Sequence, residues 1–298
     1  MKIASLVTHQ SSLSLRAPAK INWFLNVIGK RNDGYHSIIS LMQCISLYDE
    51  LIFKHSDTID VLSNVDINLK DNLVYKAASL LKQYTSYKYG VKIVLHKDIP
   101  IGAGLGGGSS DAAHTLSGLN ILWGLGLNNE DLSSIGAEIG SDVPFFLSTP
   151  CALAEGRGEK ILPWKMNSSV ILLLIKPQMS VSTSWAYASF DKLKISDTEL
   201  TKKPFDIKLF CQAFENRDFA YLSNMMNNDF EKVVIKRYPV VGSLKKRLLE
   251  KGAIISAMTG SGPTVFGVFD SRDIAEKAVE AMKPSTYGGW CRVVETLI

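Results

Sequence analysis

The sequence predicts an α+β fold, on three observations. Strand-like and helix-like segments alternate in mixed order along the chain. The late strands lie close enough to pair as antiparallel hairpins, and one strand, 91–96, runs through a glycine-rich loop into a helix. A doubly wound sheet would demand a stricter βαβ alternation than these segments show.

Taken in order, residues 13–27 mix apolar and β-forming side chains around Pro18, which predicts a strand broken or bulged at the proline. A polar turn, GKRNDG, follows at 29–34, and strand-like alternation returns over 38–53 and 59–67. Residues 73–84 have i, i+3, i+4 apolar spacing and read as a helix capped by Asp71 or Asn72. VKIVLH at 91–96 is a β-branched strand, and the helix beyond the glycine loop starts at Asp111. Another helix spans 131–139 and stops at Gly140. Strands are expected at 152–155, 161–163 and 170–175, and a polar loop or domain edge at 192–210. Helical patterns cover 219–234 and 240–251. The C-terminal part alternates: strand 253–258, a Gly-Ser-Gly turn, strand 264–269, helix 272–282 and strand 291–297. There is no internal repeat and no low-complexity tract.

Composition bounds the function. The chain has 298 residues, enough for one or two domains with a substantial core, and 46% hydrophobic with 21% charged residues is ordinary for a globular protein. A net charge of +4, spread along the chain, suits an anionic small molecule and gives no nucleic-acid footprint. The densest basic run, Lys245-Lys246-Arg247, sits in a helical pattern and reads as a solvated face. Four scattered cysteines without a CxxC pair, and five histidines without ligand spacing, predict no disulfide framework and no protein-only metal site. No apolar run reaches the roughly 18 residues of a membrane span. The serine-rich, acid-free start faintly resembles a transit peptide, but it is short; a cytoplasmic protein is expected, with no membrane or nucleic-acid partner.

The most informative stretch is PIGAGLGGGSSDAA at 100–113. Strand, glycine loop and helix together expose backbone N–H groups and a positive dipole end to an anion, so the segment reads as a phosphate cradle. A flexible connector has the same composition. No Gly-Lys-Ser/Thr closes it, so it is not a P-loop. A near match to G-x-G-x-x-G invites a dinucleotide reading, for which Glu130 and Asp131 would be the acidic partners, though they follow a turn rather than a strand.

Three separated segments then fall together: PAKINWFLNV with GKRNDGYH (18–27 and 29–36), the glycine loop, and GSGPTVF at 260–266. With GSDVPFF at 140–146, this set resembles the GHMP kinases over nearly the whole chain. It is most similar to members that phosphorylate 4-diphosphocytidyl-2-C-methyl-D-erythritol in the non-mevalonate isoprenoid pathway. Ser141 stands where those members are expected to carry alanine, a small-for-small change. The resemblance implies a two-domain fold, with a ribosomal-protein-S5-like N-terminal domain (1–155) and a ferredoxin-like C-terminal α/β sandwich (156–298). The acceptor site would lie between them. It implies a small-molecule kinase using ATP and Mg²⁺, a monomer or weak homodimer. The rivals are a mevalonate or homoserine kinase, and a non-catalytic nucleotide-binding relative.

Phosphoryl transfer asks the protein mainly to position phosphates and neutralise charge. By resemblance, ATP is held by Pro100, Ile101, Gly102, Ala103, Gly104, Leu105, Gly106, Gly107, Gly108, Ser109 and Ser110. Asn72, Leu73 and Lys97 would line the adenine and ribose pocket. Either serine could meet phosphate or Mg²⁺, and either could instead cap the helix. Asp142 is the candidate general base, with turn capping before Pro144 as the residue-level alternative. A lysine in an apolar strand is costly unless paired, which makes Lys20 its candidate electrostatic partner. Asn22 falls on the same strand face and is a candidate acceptor contact. Tyr35 would stack on the cytosine, His36 would read its edge, and Tyr187 (or Trp185) would cover the other face. Residues 181–183 could line the same pocket. Gly260-Ser261-Gly262 would be a tight turn against the phosphate loop.

Overall fold

The computed structural model describes residues 12–193, 206–282 and 289–298. Its first sheet begins with two long antiparallel strands, β1 (Leu13–Lys30) and β2 (His36–Ser56). Their register slips between Pro18 and Ala19, as the proline predicted, and again between Asn22 and Phe24. Strands β3 (Ile59–Ser63), β4 (Gly90–His96), β5 (Cys151–Gly156) and β6 (Lys160–Pro163) complete six strands in the order β3-β4-β2-β5-β6, with β1 on β2. Because β6 pairs with β5, this sheet runs through Pro163, past the division expected after Glu155.

Helix α1 (Leu73–Thr85) is capped by Asn72, whose Oδ1 accepts from the Val74 N–H, so Asn72 rather than Asp71 starts it. Helix α2 (Gly107–Leu122) begins inside the glycine loop, four residues before the predicted start at Asp111, with Gly106 as N-cap. Neither serine caps it. The left-handed φ of Gly106, +72°, lets the chain enter the helix directly from the loop. Helix α3 (Asn129–Ile139) carries a capping box between Asn128 and Asp131, and α4 (Val143–Ser148) has Pro144 in its first turn. Glu130 and Asp131 sit in the first turn of α3, which removes the dinucleotide reading.

The second sheet is antiparallel: β7 (Ile171–Lys176), β8 (Ile255–Met258), β9 (Val265–Phe269) and β10 (Trp290–Glu295), in the order β10-β7-β9-β8. That order, with helices after the first and third strands, is the ferredoxin-like arrangement. Between β7 and β8 lie α5 (Thr183–Phe190), α6 (Ile207–Glu215), α7 (Phe219–Met225), α8 (Glu231–Arg237) and α9 (Pro239–Glu250); α10 (Arg272–Met282) precedes β10. Part of the expected loop at 192–210 lies outside the described residues; its end is helical, since Asp206 caps α6. The single helical pattern at 219–234 is two helices. They are parted at 227–229, where Asn227 O accepts from the Leu25 N–H and Asp229 N–H donates to Leu25 O.

One core joins the two sheets. Trp23 of β1 packs on Phe214 and Phe266, and donates its indole N–H to Gln43 Oε1 at 2.7 Å. No helix among the described residues is long and apolar enough to cross a membrane.

Candidate active site

A cavity of about 870 Å³ opens along the seam between the sheets. Its floor is the glycine loop. Gly102, Gly104 and Gly106 all have positive φ, and a Cβ on Gly104 would come within 2.5 Å of Thr259 O. The first bond within α2 is Ser110 N–H to Gly106 O, so the N–H groups of Gly107, Gly108 and Ser109 precede the helix's own ladder. Free N–H groups at a helix N-terminus are an arrangement that suits phosphate oxygens. The loop is tied to β1 by Lys20 N–H donating to Leu105 O at 2.9 Å. It is tied to the second sheet by the close packing of Gly260 on Gly104.

Lys20 stands over this floor. Its ammonium donates to Asn22 Oδ1 at 2.6 Å and to Gly104 O at 3.2 Å, and lies 3.7 Å from Asp142 Oδ2. Burial holds the Lys20 pKa below the usual lysine range, and Asp142 partly offsets this. Asp142, about a third exposed, occupies the position before α4 but makes no capping hydrogen bond. The capping alternative therefore fails, and its carboxylate is left for the cavity. Asn22 is buried, with Nδ2 donating to Ser40 Oγ and Oδ1 accepting from both Lys20 and Thr259 Oγ1. That network holds the Lys20 head in place.

The other predicted residues divide. Pro100 to Ser109, Asn72 and Leu73 all line the cavity. Ser110 does not: its side chain is fully buried outside the lining, and its Oγ has no partner in the structure. Of the two serines only Ser109 lines the cavity, with its Oγ facing Gly140 beside the Asp142 turn. Lys97 lines the cavity as well. Its ammonium is enclosed between Asp49 and Asp111, with Asp49 Oδ1 taking the N–H groups of Asp98 and Ile99 at 2.7 and 2.8 Å. It can offer a nucleotide its stem and backbone, while its charge stays with the two carboxylates beneath the loop.

Elsewhere in the lining, Tyr35 is half exposed under the Arg157 guanidinium, 4.8 Å from the ring centroid. His36 stacks on Tyr187 with centroids 4.7 Å apart, so the two rings form one wall. Tyr187 packs edge-on against Phe230, and its hydroxyl pKa is pushed up to about 12 by burial and by the charge of Asp142. Trp185 is outside the lining and packs on Tyr238, whereas Tyr187 lines the cavity. Val181 and Thr183 line the cavity as expected, whereas Ser182 caps α5. Thr183 Oγ1 meets Ser261 Oγ at 2.9 Å, joining α5 to the Gly-Ser-Gly turn. Arg157, Asp111, Asp191 and Thr259 were not foreseen. Arg157 sits in a recognised glycine turn, GRG, and Asp111 closes the glycine motif; Asp191 and Thr259 carry no local signal.

The donor set fits Mg·ATP: free helix N-terminal N–H groups, a hydroxyl at Ser109, and a carboxylate with a nearby ammonium at the cavity floor. Among the described residues no cluster of three or more His, Cys, Asp or Glu could hold a metal by itself.

Comparison with known proteins agrees with this arrangement. The profile of the GHMP kinases N-terminal domain matches residues 72–149, and that of the GHMP kinases C-terminal region matches residues 210–288. The chain is 48% identical over 290 residues to a 4-diphosphocytidyl-2-C-methyl-D-erythritol kinase of Thermodesulfovibrio yellowstonii, covering 96% of this chain and 98% of that one. A crystal structure of a 4-(cytidine 5'-diphospho)-2C-methyl-D-erythritol kinase matches with a TM-score of 0.80 at 29% identity, covering 95% of this chain and 99% of that chain. A homoserine kinase from Cytophaga hutchinsonii, 19% identical with a TM-score of 0.75 and coverage of 100% and 97%, shares the fold. By sequence and by architecture, this chain belongs to the GHMP kinase family.

Proposed function

We propose that the chain transfers the γ-phosphoryl group of Mg·ATP to the 2-hydroxyl of 4-diphosphocytidyl-2-C-methyl-D-erythritol, in the non-mevalonate route to isoprenoid precursors. The observation that carries the reading is the juxtaposition of Lys20, Asp142 and the α2 N-terminus in a cavity that the His36–Tyr187 stack also lines. Relatives named for this reaction match over nearly the full chain.

In this reading Asp142 accepts the proton of the attacking hydroxyl, a role worth about 10²–10⁴-fold in rate. The Lys20 ammonium, held by Asn22 and Gly104 O, stabilises the charge on the attacking oxygen. The N–H groups of Gly107 to Ser109 orient the transferred phosphoryl and lower the cost of its charge. Mg²⁺, arriving with the nucleotide near Ser109, supplies further charge neutralisation. Tyr187 and His36 bound the cytosine subsite, and Tyr35 flanks its mouth. The nucleotide rests on the N-terminal part of the chain and the acceptor lies between the two parts. A cytoplasmic location follows from such substrates.

The test is ADP release from Mg·ATP with the cytidyl acceptor, mevalonate and homoserine offered separately. Turnover with the cytidyl acceptor alone is expected. Preference for mevalonate or homoserine would keep the kinase chemistry and overturn the acceptor, and no turnover with any would overturn the activity.

A further inference from the structure

We infer that Asp191 is the positioning residue that fixes the tautomer of His36, and thereby makes the acceptor pocket select a cytosine over a uracil. The inference deepens the proposed function and rests on its placement of the base against His36.

His36 is buried, and its Nε2 lies 2.5 Å from Asp191 Oδ1. The other carboxylate oxygen accepts from Lys30 Nζ at 2.6 Å. Burial alone would raise the Asp191 pKa, but the hydrogen bonds from Lys30 and His36 hold it below the usual carboxylate range. Asp191 is therefore ionised at neutral pH and can only accept. A contact this short to an acceptor-only group places the ring proton on Nε2. In the neutral imidazole, Nδ1 is then the lone-pair acceptor, and none of the hydrogen bonds described for His36 engages it. The ring itself is held flat against Tyr187, so the orientation of Nδ1 is set by stacking as well as by the carboxylate.

An acceptor at that position matches the exocyclic amine of cytosine, which donates, and opposes the carbonyl oxygen that uracil carries at the same place. Sites built around a required hydrogen bond reject the analogue lacking it far more strongly than apolar pockets reject a shape change. Asp191 sits at the C-terminal end of α5, four residues after Tyr187, so one helix turn delivers both the stacking face and the carboxylate. It touches neither the reacting hydroxyl nor the phosphate cradle, and so acts through His36.

The experiment compares the full chain with Asp191→Ala, using the cytidyl acceptor and its uridyl analogue, with the side-chain ¹⁵N shifts of His36 read in the same proteins. The parent should show the Nε2–H tautomer and a strong cytidyl preference. In Asp191→Ala the KM for the cytidyl acceptor should rise at least about tenfold, as expected for loss of a charge-assisted hydrogen bond. The cytidyl-to-uridyl ratio of kcat/KM should fall by a similar factor, while kcat at saturation and the KM for ATP stay near parental values. An Nδ1–H tautomer in the parent, or an unchanged ratio in Asp191→Ala, would overturn the inference while leaving the proposed function standing. A parent that does not phosphorylate the cytidyl acceptor would overturn both. A parallel collapse of kcat and ATP binding would instead mark Asp191 as a general structural support and equally sink the tautomer role.

Discussion

Lys20 and Asp142 are 3.7 Å apart on segments distant in sequence, and each is shaped by what else it touches. The lysine is enclosed, hydrogen-bonded to an uncharged amide and a carbonyl, and balanced by one partly exposed carboxylate. Desolvation dominates its pKa, so the charged form is held in the fold at a cost. Replacing it with an apolar side chain of similar length should abolish most turnover and leave thermal stability equal or higher near neutral pH. The sign follows from linkage. A lysine whose folded pKa lies below its unfolded one carries its burial cost at pH values below the folded pKa, and sheds it as pH rises through that value. The stability gain of Lys20→Met should therefore be largest near neutrality and shrink toward alkaline pH, as thermal unfolding across that range would show. A gain that grows with pH would contradict the assignment.

The loop and α2 act as a unit. Gly104 has φ +77° and no room for a Cβ beside Thr259 O, whereas Gly124, at φ +63°, meets nothing within 4 Å. Gly104→Ala should lower the melting temperature and weaken ATP binding by at least tenfold, since both strain and a backbone clash move the cradle. Gly124→Ala should cost only the modest penalty of a left-handed alanine and leave ATP binding intact. Titration calorimetry with the two variants separates them. Beneath the same turn, Lys97 serves both Asp49 and Asp111. Asp49 also takes two backbone N–H groups, whereas Asp111 leaves Oδ1 unpartnered. Its pKa is raised to about 7, first by burial and then by Asp49 against the pull of Lys97. A carboxyl with a raised folded pKa lends stability that is complete at acid pH and is lost as pH rises through about 7. The melting temperature of the parent should accordingly decline between about pH 5 and pH 8, and Asp111→Asn should flatten that decline. Gly107, Gly108 and two serines are poor helix formers, so the sequence carries no helix signal before Asp111 although the backbone there is already helical.

Across the whole molecule, the site is assembled by long-range contacts. Thr259, from the end of β8, reaches Asn22 on β1, and Ser261 meets Thr183 at the start of α5. Strand periodicity, the Pro18 bulge and the Gly-Ser-Gly turn were legible because each depends on local backbone chemistry. Lys20 and Asp142 were legible through their motifs. Asp191 and Thr259 were not, because their role exists only once α5 and β8 lie against the first sheet. Lys97 and Ser110 show the converse: both stand next to a strong motif, yet burial gives them interior partners or none. One seam between the two sheets brings together the glycine loop, the Lys20–Asp142 pair and the His36–Tyr187 wall. The most direct measurement is ³¹P NMR of the parent and Asp142→Asn with Mg·ATP and the cytidyl acceptor, at matched nucleotide occupancy. The account predicts a new phosphomonoester on the 2-hydroxyl with the parent, and a rate at least 10²-fold lower with Asp142→Asn. A phosphomonoester formed at the parental rate by Asp142→Asn, or phosphate transferred to a different oxygen, would contradict it.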